Sequence, residues 1–222
     1  MNEKGFTDII YNELSNNSLI KNSYEVLKYE NLLYKLIIND KGELQPEDYI
    51  KPTRGKYAFQ TDIVIKKIIP ADPAVAVQEG VNGLELHVGE RGLQQCAGGI
   101  RCVNDGVYIP LVVIEIKYGG LTTHDVLTYS AKALKHKDIY PYLRYGLVLG
   151  GLKSIPNRFF VHNQGFDFAL ALEIDNEKLL NQDSGLLNNV IVEQLKASEM
   201  LLKPIGKNNK NPKQFMSKLE IK

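Results

Sequence analysis

Hydrophobic residues follow the period of a β-strand in several stretches of the chain. "KYAFQTDIVIKKII" places Ile63 and Ile65 on one face and Asp62 and Val64 on the other, as a strand does. "VYIPLVVIEIKYGG" is apolar on both faces, which indicates a central, buried strand. "LRYGLVLGG" predicts another buried strand, and "NRFFVHN" predicts a further short one.

Other stretches have the spacing of a helix. "SYEVLKYENLLYKLII" predicts a first long helix that ends at the turn residues of "NDKGE". "LTTHDVLTYSAKALKHK" predicts a second helix, because Thr122 and Asp125 have the spacing of a capping box. The segment 166–202 is predicted to be mostly helical, with a break near "NQDSG". The order helix, strand, loop, strand, helix, strand, strand, helix is typical of an α/β domain with a mixed sheet.

Composition sets the domain organisation. A chain of 222 residues with 44% hydrophobic and 24% charged residues suits one soluble domain, which we place at residues 1–202. A Gly- and Pro-rich inserted segment is predicted near 70–106. Residues 203–222 form a basic tail with six lysines and one glutamate, which either contacts phosphates or is simply solvated. Apolar runs are too short to cross a bilayer and no secretory signal is evident, so we expect a cytoplasmic protein without membrane contact.

Charged residues interrupt the central strand. Glu115 and Lys117 are two positions apart, so they share one face of a strand whose other residues are apolar. An exposed ion pair on an edge strand is the ordinary alternative, and such pairs contribute little stability. Asp62 supplies a second carboxylate from the preceding strand. Two such carboxylates suit Mg²⁺, for which Mn²⁺ substitutes, and the backbone carbonyl of Ile116 is a further candidate ligand.

This pattern resembles the PD-(D/E)XK nuclease superfamily, the restriction-endonuclease-like fold. The matching residues are Asp62 in "FQTDIVI" together with Glu115 and Lys117 in "VVIEIKYGG", and the resemblance covers about residues 23–150. It implies an αβββαβ core with a mixed central sheet flanked by helices. It also implies that Asp62 and Glu115 bind the metal and that Lys117 assists the attacking water. Glu30, in the first predicted helix, matches an extra acidic residue that many members place near the metal.

Two features depart from the family pattern. Thr61 precedes Asp62 where many members have proline, and 53 positions separate Asp62 from Glu115, more than a short hairpin needs. The long separation implies an insertion, or else that Asp72 or another carboxylate is the second acid. The helix that follows "EIKYGG" lies where some members add a polar catalytic or DNA-backbone contact. Its candidates for that contact are His124, Thr128, Tyr129 and Lys132.

The resemblance implies a Mg²⁺-dependent endonuclease that cuts double-stranded DNA, of the type II restriction or a similar defence class. A homodimer is expected, because two symmetric sites match two antiparallel strands. Two alternatives stay open: a catalytically idle nucleic-acid-binding or assembly module of the same fold, and a nuclease that acts on RNA. Side chains suited to DNA contacts are Arg91, Gln94, Arg101, Thr123 and Lys132.

Overall fold

The computed structural model of the chain describes residues 1–35, 54, 57–70, 101–103 and 106–202. Its helices are α1 (Glu3–Asn16), α2 (Ser18–Lys21), α3 (Thr123–Ile139), α4 (Asn157–His162) and α5 (Asn181–Leu202). Its longer strands are β1 (Glu25–Lys28), β4 (Ile63–Pro70), β6 (Gly106–Tyr118), β7 (Arg144–Gly150) and β8 (Phe168–Leu172). Its shorter strands are β2 (Asn31–Leu33), β3 (Ala58–Gln60), β5 (Arg101–Val103), β9 (Ile174–Asp175) and β10 (Lys178–Leu179).

The central sheet is mixed and has the strand order β1-β4-β6-β7-β8. Strands β1, β4 and β6 are antiparallel neighbours, whereas β6, β7 and β8 run parallel to one another. The short strand β5 pairs with the beginning of β6, and β2–β3 and β9–β10 form separate ladders. The predicted α/β class, with a mixed central sheet flanked by helices, is therefore confirmed.

Helices cover both faces of β6 and β7, and this is why these strands are apolar on both sides. Phe6 of α1 packs over Gly150, where an added Cβ would lie 2.6 Å from the phenylalanine ring. Gln194 of α5 accepts a hydrogen bond from Arg144 on this same face. Helix α3 covers the opposite face, which carries the odd-numbered residues of β6. That second face contains the candidate site.

The start of α3 is fixed by local chemistry. Gly119 has φ 80°, a left-handed conformation that favours glycine, and it turns the chain out of β6. Thr122 accepts a hydrogen bond from the N–H of Asp125, and the Asp125 carboxylate accepts one from the N–H of Thr122. The predicted capping box is confirmed, and it sets the register of the helix over the sheet.

Two predicted elements are wrong and a third is only partly confirmed. In place of a helix over "SYEVLKYENLLYKLII", the chain forms β1 and β2, with a bend at Tyr29, whose φ of 58° is incompatible with a helix. Its residues 36–38 lie outside the described part. "NRFFVHN" forms α4, because Pro156 at the N-cap has the fixed φ with which a helix can begin. The segment 166–202 is helical as predicted over α5, but its first part contains β8, β9 and β10, and "NQDSG" begins α5 instead of breaking a helix.

Parts of the predicted organisation fall on residues that the structure does not describe. Within the inserted segment 70–106, the structure describes residue 70, β5 and residue 106, and the rest of the segment lies outside the described residues. Asp72 and the basic tail, residues 203–222, also lie outside them. Across the described ranges, the helices are too short or too polar to cross a membrane.

Candidate functional site

Asp62, in the bend just before β4, lies next to Glu115 of β6. The ladder between β4 and β6 ends with Ile63 opposite Ile114, and continuing that antiparallel register places Asp62 opposite Glu115. Residues that face each other across two strands project to the same side of the sheet. Oδ2 of Asp62 also accepts a hydrogen bond of 2.7 Å from the backbone N–H of Ile116. The Asp62 carboxylate is thus fixed to the β6 backbone next to Glu115.

Glu115 is a buried carboxylate whose charge is balanced by its neighbours. Its side chain is only 2% exposed. Oε1 accepts a 2.5 Å hydrogen bond from the hydroxyl of Tyr145 and lies 2.7 Å from Nζ of Lys132. A buried charge is tolerated when it is paired and hydrogen-bonded, and both conditions hold here. The sequence analysis placed Lys132 among DNA contacts, whereas the structure places its ammonium inside this acidic site.

Lys132 connects three parts of the fold. Besides its ion pair with Glu115, its ammonium donates a hydrogen bond to the backbone carbonyl of Gln60, two residues before Asp62. The lysine side chain is 15% exposed. One side chain of α3 therefore joins that helix to β6 and to the end of β3.

The site retains excess negative charge despite this lysine. Burial, and then repulsion by Glu115, raise the pKa of Asp62 from 3.8 to about 7, against the opposing effects of the Ile116 N–H and of Lys132. Burial and the Glu115 charge likewise raise the pKa of the Tyr129 and Tyr145 hydroxyls. All three shifts have the sign that burial and a nearby carboxylate produce.

Lys117 lies on the same face of β6 as Glu115, near the end of the strand. Its Nζ is 3.5 Å from Oε2 of Glu3 in α1 and 3.5 Å from Oδ1 of Asp125 in α3. Partial burial opposes ionisation of Asp125, but hydrogen bonds from Thr122 and the charge of Lys117 together lower its pKa. The Lys117 side chain is 26% exposed, so its ammonium is held by two acids and is still accessible to solvent.

Glu30 does not lie in a helix, which corrects the sequence analysis. It lies between β1 and β2, and its carboxylate pairs with Lys66 at 2.9 Å. Its backbone carbonyl accepts hydrogen bonds from both the N–H and the hydroxyl of Thr61. Two helical acids approach Lys117 instead, Asp125 of α3 and Glu3 of α1, and Glu3 was not expected from the sequence. Asn2, which is the N-cap, and the spacing of Phe6, Ile10 and Leu14 were the available signal for that helix.

The other residues that the sequence suggested for catalysis or DNA contact lie partly outside the described residues and partly on α3. Arg91 and Gln94 lie outside the described residues, and Arg101 begins β5 without a described side chain. Thr123 is the first residue of α3, one turn before Leu127 on the same helix. His124 and Thr128 contact each other at 3.4 Å on the exposed side of α3. Asp62, Glu115, Lys117 and Lys132 thus converge around α3 and β6, and Glu3 joins them.

The carboxylates suit a hard cation that keeps part of its own hydration. In the described part of the chain, no three His, Cys, Asp or Glu residues are close enough together to form a complete metal site. Mg²⁺ commonly needs only one or two carboxylates, with waters and substrate phosphate as the other ligands. Asp62 and Glu115 match that smaller set. Searches with the sequence against protein-family models and against curated proteins found no match.

Proposed function

We propose that the chain is a metal-dependent endonuclease that hydrolyses phosphodiester bonds in double-stranded DNA, of the restriction or a similar defence type. The observation that carries the proposal is the pair of carboxylates, the half-buried Asp62 and the buried Glu115, next to an accessible ammonium at Lys117. A carboxylate whose pKa is raised to about 7 by burial and by a second acid is typical of a functional site.

The order of the elements also supports the proposal. With the short elements α2, β2, β3 and β5 left out, the chain runs α1, β1, β4, β6, α3, β7, with β1, β4 and β6 antiparallel and β7 parallel to β6. The αβββαβ core implied by the resemblance has the same order, although β2 and β3 are inserted between β1 and β4. Asp62 precedes the second of the three antiparallel strands, and Glu115 and Lys117 lie on the third.

Each residue has a distinct role in this proposal. Asp62 and Glu115 would hold Mg²⁺ or Mn²⁺, which when bound would activate water and offset charge on the phosphate. Because the N–H and C=O of a strand residue point to the same neighbouring strand, we expect the Ile116 carbonyl on the Asp62 side as a further oxygen. Lys117 would donate hydrogen bonds to the phosphate or to the attacking water. Glu3 and the start of α3 hold that ammonium in place.

Substrate and assembly follow from the same hypothesis. Cutting both strands of a duplex requires two sites, and a symmetric homodimer is the simplest arrangement that supplies them. The segment around Arg91, Gln94 and Arg101 would contact base edges. Thr123 begins the helix that lies beside the site, and it would contact the DNA backbone.

One observation favours the idle-module alternative. Lys132 already neutralises part of the Glu115 charge, so the buried acid has a partner without any metal. A protein of this fold that only binds nucleic acid would tolerate such a site, and it would bind DNA without cutting it. Cleavage assays distinguish the two functions.

The experiment is cleavage of supercoiled plasmid DNA with Mg²⁺ or Mn²⁺, with EDTA as the blank. We expect linear or nicked products from the wild type and at least a 100-fold loss of rate in Lys117→Ala and Glu115→Gln. Lys196→Ala removes an exposed lysine from α5 and serves as the matched control, with an unchanged rate. Tight DNA binding without cleavage in either metal would refute the nuclease and favour the idle module. Cleavage of RNA alone would assign the other substrate.

A further inference from the structure

The ammonium of Lys132 occupies the carboxylate that a metal ion would need. Its Nζ lies 2.7 Å from Oε1 of Glu115. The same oxygen accepts a hydrogen bond from the hydroxyl of Tyr145. A divalent cation and an ammonium that share one carboxylate repel each other, and at about 4 Å with an effective dielectric constant near 20 this repulsion is substantial. The two cations therefore cannot both be bound at full strength.

We propose that Lys132 is the internal counter-ion of the metal-free protein and that a divalent cation must displace its ammonium from Glu115 in order to bind. This inference rests on the proposed function, because it concerns the same pair of carboxylates. Lys132 supplies one positive charge to two carboxylates, whereas a divalent cation supplies two. Metal binding would therefore neutralise the pair more completely and leave the ammonium as surplus charge.

The structure offers the displaced ammonium other interactions close by. Lys132 also donates to the backbone carbonyl of Gln60, which is independent of Glu115. Its Nζ is 6.0 Å from the centre of the Tyr129 ring, at the outer limit of a cation–π contact. A modest movement of this long, flexible side chain would exchange Glu115 for these groups. Lys132 would then lie beside the metal as a positioning residue for an anionic substrate.

A merely structural lysine would behave differently. If Lys132 only anchored α3 to the sheet, its loss would lower stability equally with and without metal, and metal affinity would stay the same. If Lys132 instead competes with the metal, its loss should change both the stability of the metal-free protein and the affinity for metal. Its removal leaves Glu115 buried and unpaired without metal, a destabilising condition that a bound cation relieves.

The test measures Mn²⁺ binding to the full chain by electron paramagnetic resonance, which requires no catalytic activity. Lys132→Met keeps most of the aliphatic stem and removes the charge. Lys135→Met is the matched control, because Lys135 lies on the same helix with its ammonium 5.3 Å from the Tyr34 ring centre, away from Glu115. We expect Lys132→Met to bind Mn²⁺ at least tenfold more tightly than the wild type, and Lys135→Met to change by less than threefold.

A second readout is the melting temperature in EDTA and in Mn²⁺. Lys132→Met should melt below the wild type in EDTA, and Mn²⁺ should raise its melting temperature more than that of the wild type. If Lys132→Met is too unstable to study, Lys132→Gln keeps a donor for the Gln60 carbonyl without the charge, and the same affinity gain is expected.

The outcomes separate this inference from the proposed function. Unchanged or weaker Mn²⁺ binding in both Lys132 variants, with binding lost in Asp62→Asn, would overturn the counter-ion role and leave the metal site intact. Absence of Mn²⁺ binding in every variant, including the wild type, would overturn both. A tenfold gain that disappears when Asp62→Asn is added would support both.

Discussion

Replacing Asp62 by asparagine should stabilise the metal-free protein at neutral and alkaline pH. The wild-type carboxylate is half-buried beside Glu115, and partial burial together with the Glu115 charge raises its pKa from 3.8 to about 7 on folding. The folded protein therefore favours the protonated, neutral form. Asparagine is neutral at every pH and has nearly the same shape. Its side-chain oxygen can still accept the N–H of Ile116, as Oδ2 of Asp62 does.

The size of the effect follows from linkage. Because the folded-state pKa of Asp62 is the higher one, the folded protein binds more protons than the unfolded chain between about pH 4 and pH 7. Stability is consequently lost as the pH rises through that window. A difference of about three pKa units at about 1.4 kcal/mol each gives a destabilisation of roughly 4 kcal/mol at pH 8, and less than about 1 kcal/mol at pH 4.

The assay is urea unfolding followed by circular dichroism, in EDTA, at intervals from pH 4 to pH 8.5. We expect Asp62→Asn to exceed the wild type in the free energy of unfolding by an amount that grows with pH toward roughly 4 kcal/mol. Asp175→Asn is the matched control, because Asp175 is exposed in β9 and its replacement should produce no such trend.

Two results would refute this reasoning. One is an Asp62→Asn protein that is less stable than the wild type at pH 8, which would mean that the ionised carboxylate stabilises the fold. The other is a difference that stays constant between pH 4 and pH 8, which would mean that Asp62 does not titrate abnormally. If Asp62 holds a cation as proposed, Mg²⁺ should stabilise the wild type but not Asp62→Asn, and the gap between them should narrow.

Three further predictions concern the framework around the site. Burial lowers the pKa of His136 to about 3, so this group destabilises the folded protein increasingly as the pH drops below about 6.5. His136→Gln should therefore gain stability relative to the wild type over that range in urea titrations, and a difference that does not change with pH would contradict this. Gly146→Ala should lower the free energy of unfolding by about 3 kcal/mol or more, because the added Cβ would lie 2.0 Å from the Phe168 ring. Adding Phe168→Leu should recover part of that loss in a double-mutant cycle. In the wild type, the buried guanidinium of Arg144 lies 3.0 Å from Oδ1 of Asp167. Asp167→Ala leaves that charge buried without its carboxylate and should lower the free energy of unfolding in urea by about 3–5 kcal/mol. A loss below about 1 kcal/mol would show that the pair is dispensable.

Asp62 and His136 affect the pH profile with opposite signs. Between about pH 4 and pH 6.5, ionisation of Asp62 lowers the stability of the folded protein as the pH rises. Over the same range His136 raises that stability, because the unfolded chain loses the proton that its histidine binds and the folded protein does not. The two contributions partly cancel in the wild type. Each group is therefore measured by the difference between a variant and the wild type, and a flat wild-type curve would be compatible with both shifts.

The sequence predicted the elements whose signals are local. The strand that carries Glu115 is apolar on both faces because helices cover both faces of the sheet, and this pattern is readable without a structure. The start of α3 was predicted from two residues, Thr122 and Asp125, because a capping box requires contacts only within one helical turn. The predicted strand over "KYAFQTDIVIKKII" is split into β3 and β4, and Asp62 lies in the bend between them, next to the first residue of β4.

Other features depend on partners that are distant in the sequence. Tyr145 is 30 positions from the Glu115 that it contacts, and no periodicity links the two. Segment 23–38 has apolar residues that satisfy a helical spacing, yet pairing of β1 with β4 outweighs that local preference. This override moved Glu30 out of a helix and left Glu3 unnoticed as an acid near Lys117. Lys132 likewise resembled an exposed helix lysine until α3 was placed on the sheet.

The hydrogen bond from the Ile116 amide to Asp62 gives the protein a natural spectroscopic reporter. An amide proton bonded to an ionised carboxylate is held more strongly than one bonded to a neutral acid. Its ¹⁵N–¹H resonance should therefore move as Asp62 loses its proton, and move again when a cation competes for the same oxygen. A single labelled isoleucine would then follow both events in solution without any added dye or probe.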